Sequence, residues 1–138
     1  MEPWARDELD RARHGVLVTV KPDGSPRPVP FTFAVTAGRL VSAVDHKPKT
    51  TTRLARLADI ERGGRATVLV EHYDDDWTQL WWIRVAGRAT VHRADDPFTS
   101  EAVAALVAKY EQYQRQPPAG PCYSVELDDV VAWRATLS

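Results

Sequence analysis

The sequence predicts a mainly β protein, an antiparallel β-barrel with peripheral helices, as one domain over residues 1–138. Three observations carry that expectation. Short runs of alternating apolar residues are punctuated by Gly, Pro and Asp turns. Stretches of helical periodicity are inserted between groups of such runs, and 138 residues is a single-domain length. A doubly wound parallel sheet would need strand and helix to alternate throughout, and here they do not.

Residues 3–13 read as a short amphipathic helix, with Pro3 near its start, where a missing N–H is harmless. In GVLVTVKPDGSPRPVPFTFAV, Val16, Val18 and Val20 share one face of a first strand. Val29, Phe31, Phe33 and Val35 share one face of a second, and PDGSP between them is a hairpin turn. The turn TAG (36–38) leads to a third strand, RLVSAVD. TTRLARLADIERGG places Leu54, Leu57, Ala58 and Ile60 at helical spacing and stops at Gly63–Gly64. RATVLVEHY is a fourth strand, and LWWIRVAGRATVHR is a long fifth with Gly87 as a bulge or bend. Leu80 and Trp82 fall on one face of the fifth strand, and Trp81, Ile83 and Val85 on the other. One face fills the barrel and the other needs a partner. Asp96 and Pro97 open a helix whose Phe98, Ala102, Ala105, Leu106 and Tyr113 share a face. QPPAGP ends it, and CYSVELDDVVAWRA is the last strand, bending at Asp128–Asp129.

Composition narrows the function. A formal net charge of −1 supplies no global field for nucleic acid or anionic lipid. The single cysteine, Cys122, excludes an internal disulfide, gives no zinc-ligand set and reads as inert packing. The first residues are charged from Glu2 onward, unlike a signal peptide, and no apolar run approaches the ~20 residues that span a bilayer. A soluble cytoplasmic protein is expected.

Against that neutral total, DHKPKTTTRLARL (45–57) concentrates positive charge and hydroxyls at a strand-to-helix junction. One reading is a solvated basic loop with Thr50 or Thr51 as an ordinary N-cap. The other is an anion cradle, because free N–H groups and the helix dipole favour negative charge at a helix start. Lys47 and Lys49 would add charge and the threonines hydrogen bonds, with His46 beside them. Without glycine the segment is no Walker loop. Trp81 and Trp82 are adjacent in a strand and so face opposite sides, where each is either packing or a surface for a planar ligand. Asp74, Asp75 and Asp76 on one turn read as solvated carboxylates rather than a metal site. The four histidines are scattered, with no evident nucleophilic triad.

Taken in order, GVLVTVKPDGSPRPVPFTF, RLVSAVDHKPKTTTRLARL, WWIRVAGRATV and DDVVAWRA resemble the pyridoxamine-phosphate-oxidase-like split barrels. Within these, the chain is most similar to the deazaflavin (coenzyme F420)-dependent oxidoreductases. The resemblance covers essentially the whole chain and rests on the order of segments rather than on one motif. It implies a six-stranded antiparallel FMN-binding split barrel that dimerises, with flavin or deazaflavin in the groove between subunits. Lys47, Lys49 and Thr50 then occupy the positions that grip the coenzyme phosphate, with Arg53 as a further ligand. Strand Arg27–Thr32, including Pro28, Val29 and Pro30, would run beside the ring, and Ser42 and Ala43 would lie near ring and ribityl chain. Gln79, Trp81 and Trp82 would contribute across the dimer, and Trp133 matches a tryptophan near the flavin. The oxidase's C-terminal arginine- and histidine-bearing extension has no counterpart before Ser138, so its vitamin substrate is not implied.

The expected function is that of a cytoplasmic, homodimeric F420-dependent oxidoreductase, moving hydride between the deazaflavin and a small organic acceptor. FMN is the alternative coenzyme. Arg56 and Arg27 are further cations for the carboxylates of an F420 tail, Tyr73 and Trp77 candidates for shaping a substrate pocket, and no general acid is assigned. A different class, a non-catalytic flavin- or haem-binding module, shares the same features. An oligonucleotide-binding barrel is disfavoured by the charge.

Overall fold

Two sheets share one long strand. In the computed structural model, which describes residues 1–44 and 51–136 and only the backbone of 51–54, the chain begins with α1 (Pro3–Arg11). There follow β1 (Gly15–Val20), β2 (Pro26–Phe31), β3 (Ala34–Thr36), β4 (Arg39–Ala43) and α2 (Thr51–Gly63). The second half holds β5 (Arg65–His72), a 3-10 turn (Trp77–Gln79), β6 (Trp81–His92), α3 (Pro97–Lys109), α4 (Glu111–Arg115), β7 (Cys122–Glu126) and β8 (Asp129–Arg134). The antiparallel order is β2-β1-β5-β6-β7-β4-β3, with β8 also on β6. The first half of β6 pairs with β8, from Trp81↔Arg134 to Ala86↔Asp129; the second pairs with β7, from Ala89↔Val125 to His92↔Cys122.

The changeover lies at Gly87, where a Cβ would run into the carbonyl oxygen of Glu126. Glycine is required there by close backbone approach. The adjacent Arg88 N–H donates to the carboxylate of Asp128 at 3.0 Å, fixing the corner between β7 and β8.

The class is the expected one, an antiparallel barrel with peripheral helices, but the described residues form eight strands rather than six. Two of the expected strands are each divided. The second breaks at Thr32–Phe33, where the chain leaves the edge of one sheet (β2, paired only with β1) for the edge of the other (β3, paired only with β4). The last breaks at Leu127–Asp128, because its two halves pair with different halves of β6. The barrel is therefore open between β2 and β3. Pro26, Pro28 and Pro30 lack the N–H groups that an added strand would need, which blunts the β2 edge.

The core gathers Leu17, Phe31, Phe33, Val68, Val70 and Ile83 with Leu9 of α1 and Ile60 of α2. Alternation decides which face is inside: Leu17 and Thr19 of β1 are buried, and Val16, Val18 and Val20 turn outward. On β6 the Ile83–Val85 face fills the barrel and Trp82 and Arg84 face out. A second cluster packs Ala102, Leu106 and Tyr110 on Ala34, Val41 and Cys122. Tyr113 joins it from α4, because the expected continuous helix is interrupted at Tyr110, whose backbone is extended.

Local signals set the helix and hairpin ends. Asp96 caps α3 through the N–H of Phe98 at 2.8 Å, followed by Pro97. The two-residue hairpin Ala37–Gly38 has positive φ at both positions (53° and 71°), the twist that joins β3 to β4.

Candidate functional site

A cavity of about 360 Å³ opens where the barrel is split. Its walls come from separate elements. The end of β2 and the following residue contribute Pro30, Phe31 and Thr32, and the end of β4 contributes Ser42, Ala43 and Val44. Arg56 and Leu57 enter from α2, Tyr123 from β7, His14 from the α1–β1 link, and Tyr110, Gln112 and Tyr113 from the α3–α4 corner. Thr32 and Tyr113 hydroxyl oxygens lie 3.1 Å apart and close one side. Tyr110 is a strut: its hydroxyl accepts from Phe33 N–H at 3.2 Å and lies 3.0 and 3.1 Å from the carbonyls of Arg13 and Phe33. Burial pushes its pKa up, so it stays a neutral phenol.

The charged member of the lining is Arg56. Its Nη1 donates to the Tyr123 hydroxyl at 2.8 Å, while its Nε is buried with no hydrogen-bond partner. A guanidinium with an orphaned N–H, lining a cavity that has no carboxylate among its described residues, fits an anionic group. A coenzyme phosphate is such a group, and the residues present fit it.

The expected site residues divide into three sets. Pro30, Ser42 and Ala43 line the cavity; Pro28 is exposed one turn of the pleat further along β2, and Val29 packs inward on the core. Trp82 and Trp133 are cross-strand partners on the outer face of the sheet, and Gln79 lies on the 3-10 turn. Within one chain these last three do not line the cavity. Lys47, Lys49 and Thr50 lie outside the described residues, as does His46; Arg53 belongs to the first turn of α2, which holds no acidic residue.

Arg27 is not a free cation for a ligand tail. Its Nε is bound to Asp59 at 2.7 Å, and Asp59 also accepts from Thr19 at 2.8 Å and Arg62 at 2.8 Å. Burial opposes ionisation of Asp59, but these bonds outweigh it and hold the pKa at about 2. Tyr73 and Trp77 are exposed, 3.4 Å apart through the indole N–H and the phenol, and away from the cavity. Asp74 and Asp76 spend their carboxylates on the turn, accepting from Asp76 N–H at 2.7 Å and Thr78 N–H at 3.1 Å. Among the described residues no group of three or more metal-ligating side chains gathers.

Sequence reading missed Tyr123, Tyr113 and His14 as lining. Tyr123 lies in a strand with no local signal to mark it, and only tertiary packing puts it beside Arg56, 67 positions away. The fold also aligns Ser124, His92 and Asp96: Ser124 Oγ lies 2.9 Å from His92 Nε2, and His92 Nδ1 lies 3.7 Å from Asp96. None of the three lines the cavity, Ser124 is buried, and burial lowers the His92 pKa, so the row is interior packing rather than a nucleophile.

A second, shallower groove runs between α1 and the start of β6, lined by Trp4, Asp7, His72, Gln79, Trp81 and Arg134 among others. Its charges are mixed.

Comparison with known proteins agrees with this architecture. The chain is similar in structure to the conserved hypothetical protein Rv2991 from Mycobacterium tuberculosis, at 17% identity and TM-score 0.77, over 97% of this chain and 84% of that one. It is similar to HutZ, the haem storage protein from Vibrio cholerae, at 12% identity and TM-score 0.73, over 96% and 93%. A FAD binding protein from Mycobacterium smegmatis matches at 17% identity and TM-score 0.68, over 99% and 98%. At these identities the likeness is one of fold. No curated protein matches the chain. A family model described as pyridoxamine 5'-phosphate oxidase matches residues 1–136, and the chain belongs to that family.

Proposed function

We propose that the protein is an F420-dependent oxidoreductase, with FMN as the alternative coenzyme, acting on a small organic acceptor. The observation that carries this reading is the cavity at the split of the barrel, where two segments assigned by resemblance to the coenzyme, Pro30 and Ser42–Ala43, meet Arg56, whose Nε has no partner. Family membership supports it. When bound, the ring supplies the hydride chemistry. The chain's residues bind and orient: Lys47, Lys49, Thr50 and Arg53 hold the phosphate at the start of α2, and strand β2 with Pro28, Val29 and Pro30 borders the ring. Phe31, Val44 and Leu57 give the cavity an apolar side.

A homodimer completes the site in this reading. Sheet residues Val16, Val18, Leu69, Trp82, Val131 and Trp133 share the outward face, and Trp133 is 44% exposed. An apolar sheet face of this kind is suited to a two-fold contact with a second copy. Trp82, Trp133 and Gln79 would then act across the interface, and coenzyme binding would be linked to dimerisation.

A second reading is a non-catalytic flavin- or haem-binding module. It is favoured by His14 in the cavity lining, an imidazole suited to iron, and by the fold shared with a haem storage protein.

Titration with F420, FMN and haem, followed by absorption, separates these readings. The proposal expects saturable F420 or FMN binding and oxidation of the reduced coenzyme by an enone, quinone or tetrapyrrole panel. Haem binding without coenzyme turnover would favour the second. Trp82→Glu should weaken the dimer and coenzyme affinity together in sedimentation experiments. A monomer with full affinity would place the whole site within one chain.

A further inference from the structure

We propose that Arg56, Tyr123 and Ser42 form a seat for one oxyanion, a phosphoryl or carboxylate group of a ligand, in which Tyr123 is a hydrogen-bond donor rather than packing. The inference deepens the coenzyme-site reading above and rests on it for the source of the anion.

The geometry starts from the sheet. Ser42 of β4 and Tyr123 of β7 are register partners, so their side chains leave the paired strands on the same face, and both line the cavity. They are only 3% and 2% exposed, so neither is an incidental surface hydroxyl. Helix α2 brings Arg56 over this pair, with its guanidinium carbon 6.0 Å from the Tyr123 ring centroid.

Donor counting then fixes the class of ligand. The Tyr123 oxygen accepts from Arg56 Nη1 at 2.8 Å, which leaves the phenol's own hydrogen to find an acceptor. Among the described residues none accepts it, and none bonds the Ser42 hydroxyl. Arg56 Nε is buried and unpaired beside them. Arg56, Tyr123 and Ser42, from three elements, thus line one cavity with no carboxylate among its described lining residues, and Arg56 carries a full positive charge. A donor-rich or cationic ligand group would add to the surplus. A negatively charged oxygen acceptor removes it, and Arg56 to phosphate or carboxylate is among the stronger pairings available.

Tyrosine also has a task that phenylalanine would not perform. Arg56 holds the phenol oxygen from one side, so the O–H is oriented before the ligand arrives, and little freedom is lost on binding.

The test uses the full chain, with Tyr123→Phe, Ser42→Ala and Arg56→Met, and inorganic phosphate, benzoate and chloride at matched ionic strength as probes. Tyr123→Phe keeps the buried ring, so its fold is preserved, and melting without added anion verifies this. Phosphate or benzoate should raise the melting temperature of the wild type above the chloride control, and Tyr123→Phe and Arg56→Met should abolish the rise. Titration with FMN and riboflavin then identifies the source. A tenfold loss of FMN affinity in Tyr123→Phe, with riboflavin affinity unchanged, assigns the seat to the coenzyme phosphate. Unchanged affinities for both, with benzoate still protecting the wild-type FMN complex and not the variant, assign it to a substrate carboxylate. Equal anion protection in wild type and variants, or none in the wild type, overturns the seat. Anion protection in a chain that binds neither FMN nor F420 would leave the seat standing and remove the coenzyme reading.

Discussion

Helix α2 carries two buried polar clusters three residues apart, and they are opposite in kind. Around Asp59 the bonding is closed: Thr19, Arg27 and Arg62 donate to its two oxygens, and Arg62 also reaches the Val20 carbonyl at 2.6 Å. Around Arg56 it is open, with one donor on Tyr123 and another, Nε, on nothing. Both clusters contain arginine on the same helix, and residue type alone would not tell them apart. Satisfaction does. A closed cluster ties the helix to the β1–β2 hairpin, and an open one waits for a ligand.

The largest expected effect is on the closed side. Asp59→Ala removes the acceptor shared by two arginines and a buried hydroxyl, and should destabilise the fold by about 3 kcal/mol. Urea denaturation measures it, and a loss below about 1 kcal/mol would mean the cluster is not a clamp. Acid probes the same group more gently. Because the folded pKa of about 2 lies below the unfolded value of 3.8, Asp59 stabilises the fold fully above pH ~4 and loses that contribution as the pH falls through about 2. The loss should approach about 2 kcal/mol and be missing from Asp59→Asn, in denaturation profiles taken across that window.

On the open side the effects move from stability to binding. Lys49→Ala and Lys47→Ala should each weaken coenzyme binding about tenfold, ~1.4 kcal/mol, with the melting temperature unchanged. Full affinity in both variants would remove the basic segment from the site. Arg56→Met is expected to show the smallest change in stability, within about 0.5 kcal/mol of wild type, because the buried unsatisfied Nε it deletes offsets the bond to Tyr123 lost with it, and the packing is kept. A loss like that of Asp59→Ala would show that Arg56 is a structural clamp too, and the distinction between the clusters would fall.

Much of the fold was legible in local chemistry. Alternation in GVLVTV and RATVLVEH and the Asp96–Pro97 helix start each reflect interactions within a few residues, and each sits where expected. The family was legible in the order of segments. For the candidate site, Pro30, Ser42 and Ala43 were found through the family resemblance, whereas Tyr123 was not, because nothing near it in the chain sets it apart from a core aromatic. Arg27 shows the converse. It reads as an available cation in sequence, and a carboxylate 32 positions away claims it.

What the sequence determined by itself, then, is where backbone propensity and side-chain period act over short range: strands, turns, helix ends, and a basic run leading into α2. Tertiary structure decided which face of β1 is buried, Leu17 and Thr19 instead of the three valines. It also divided the second and last expected strands and chose which arginine is left unpaired. Alternation only sorts residues into two faces. Which face meets the core, and which charge meets a partner, depends on segments brought together after the chain has closed on itself, and their energies are written in no single stretch of it.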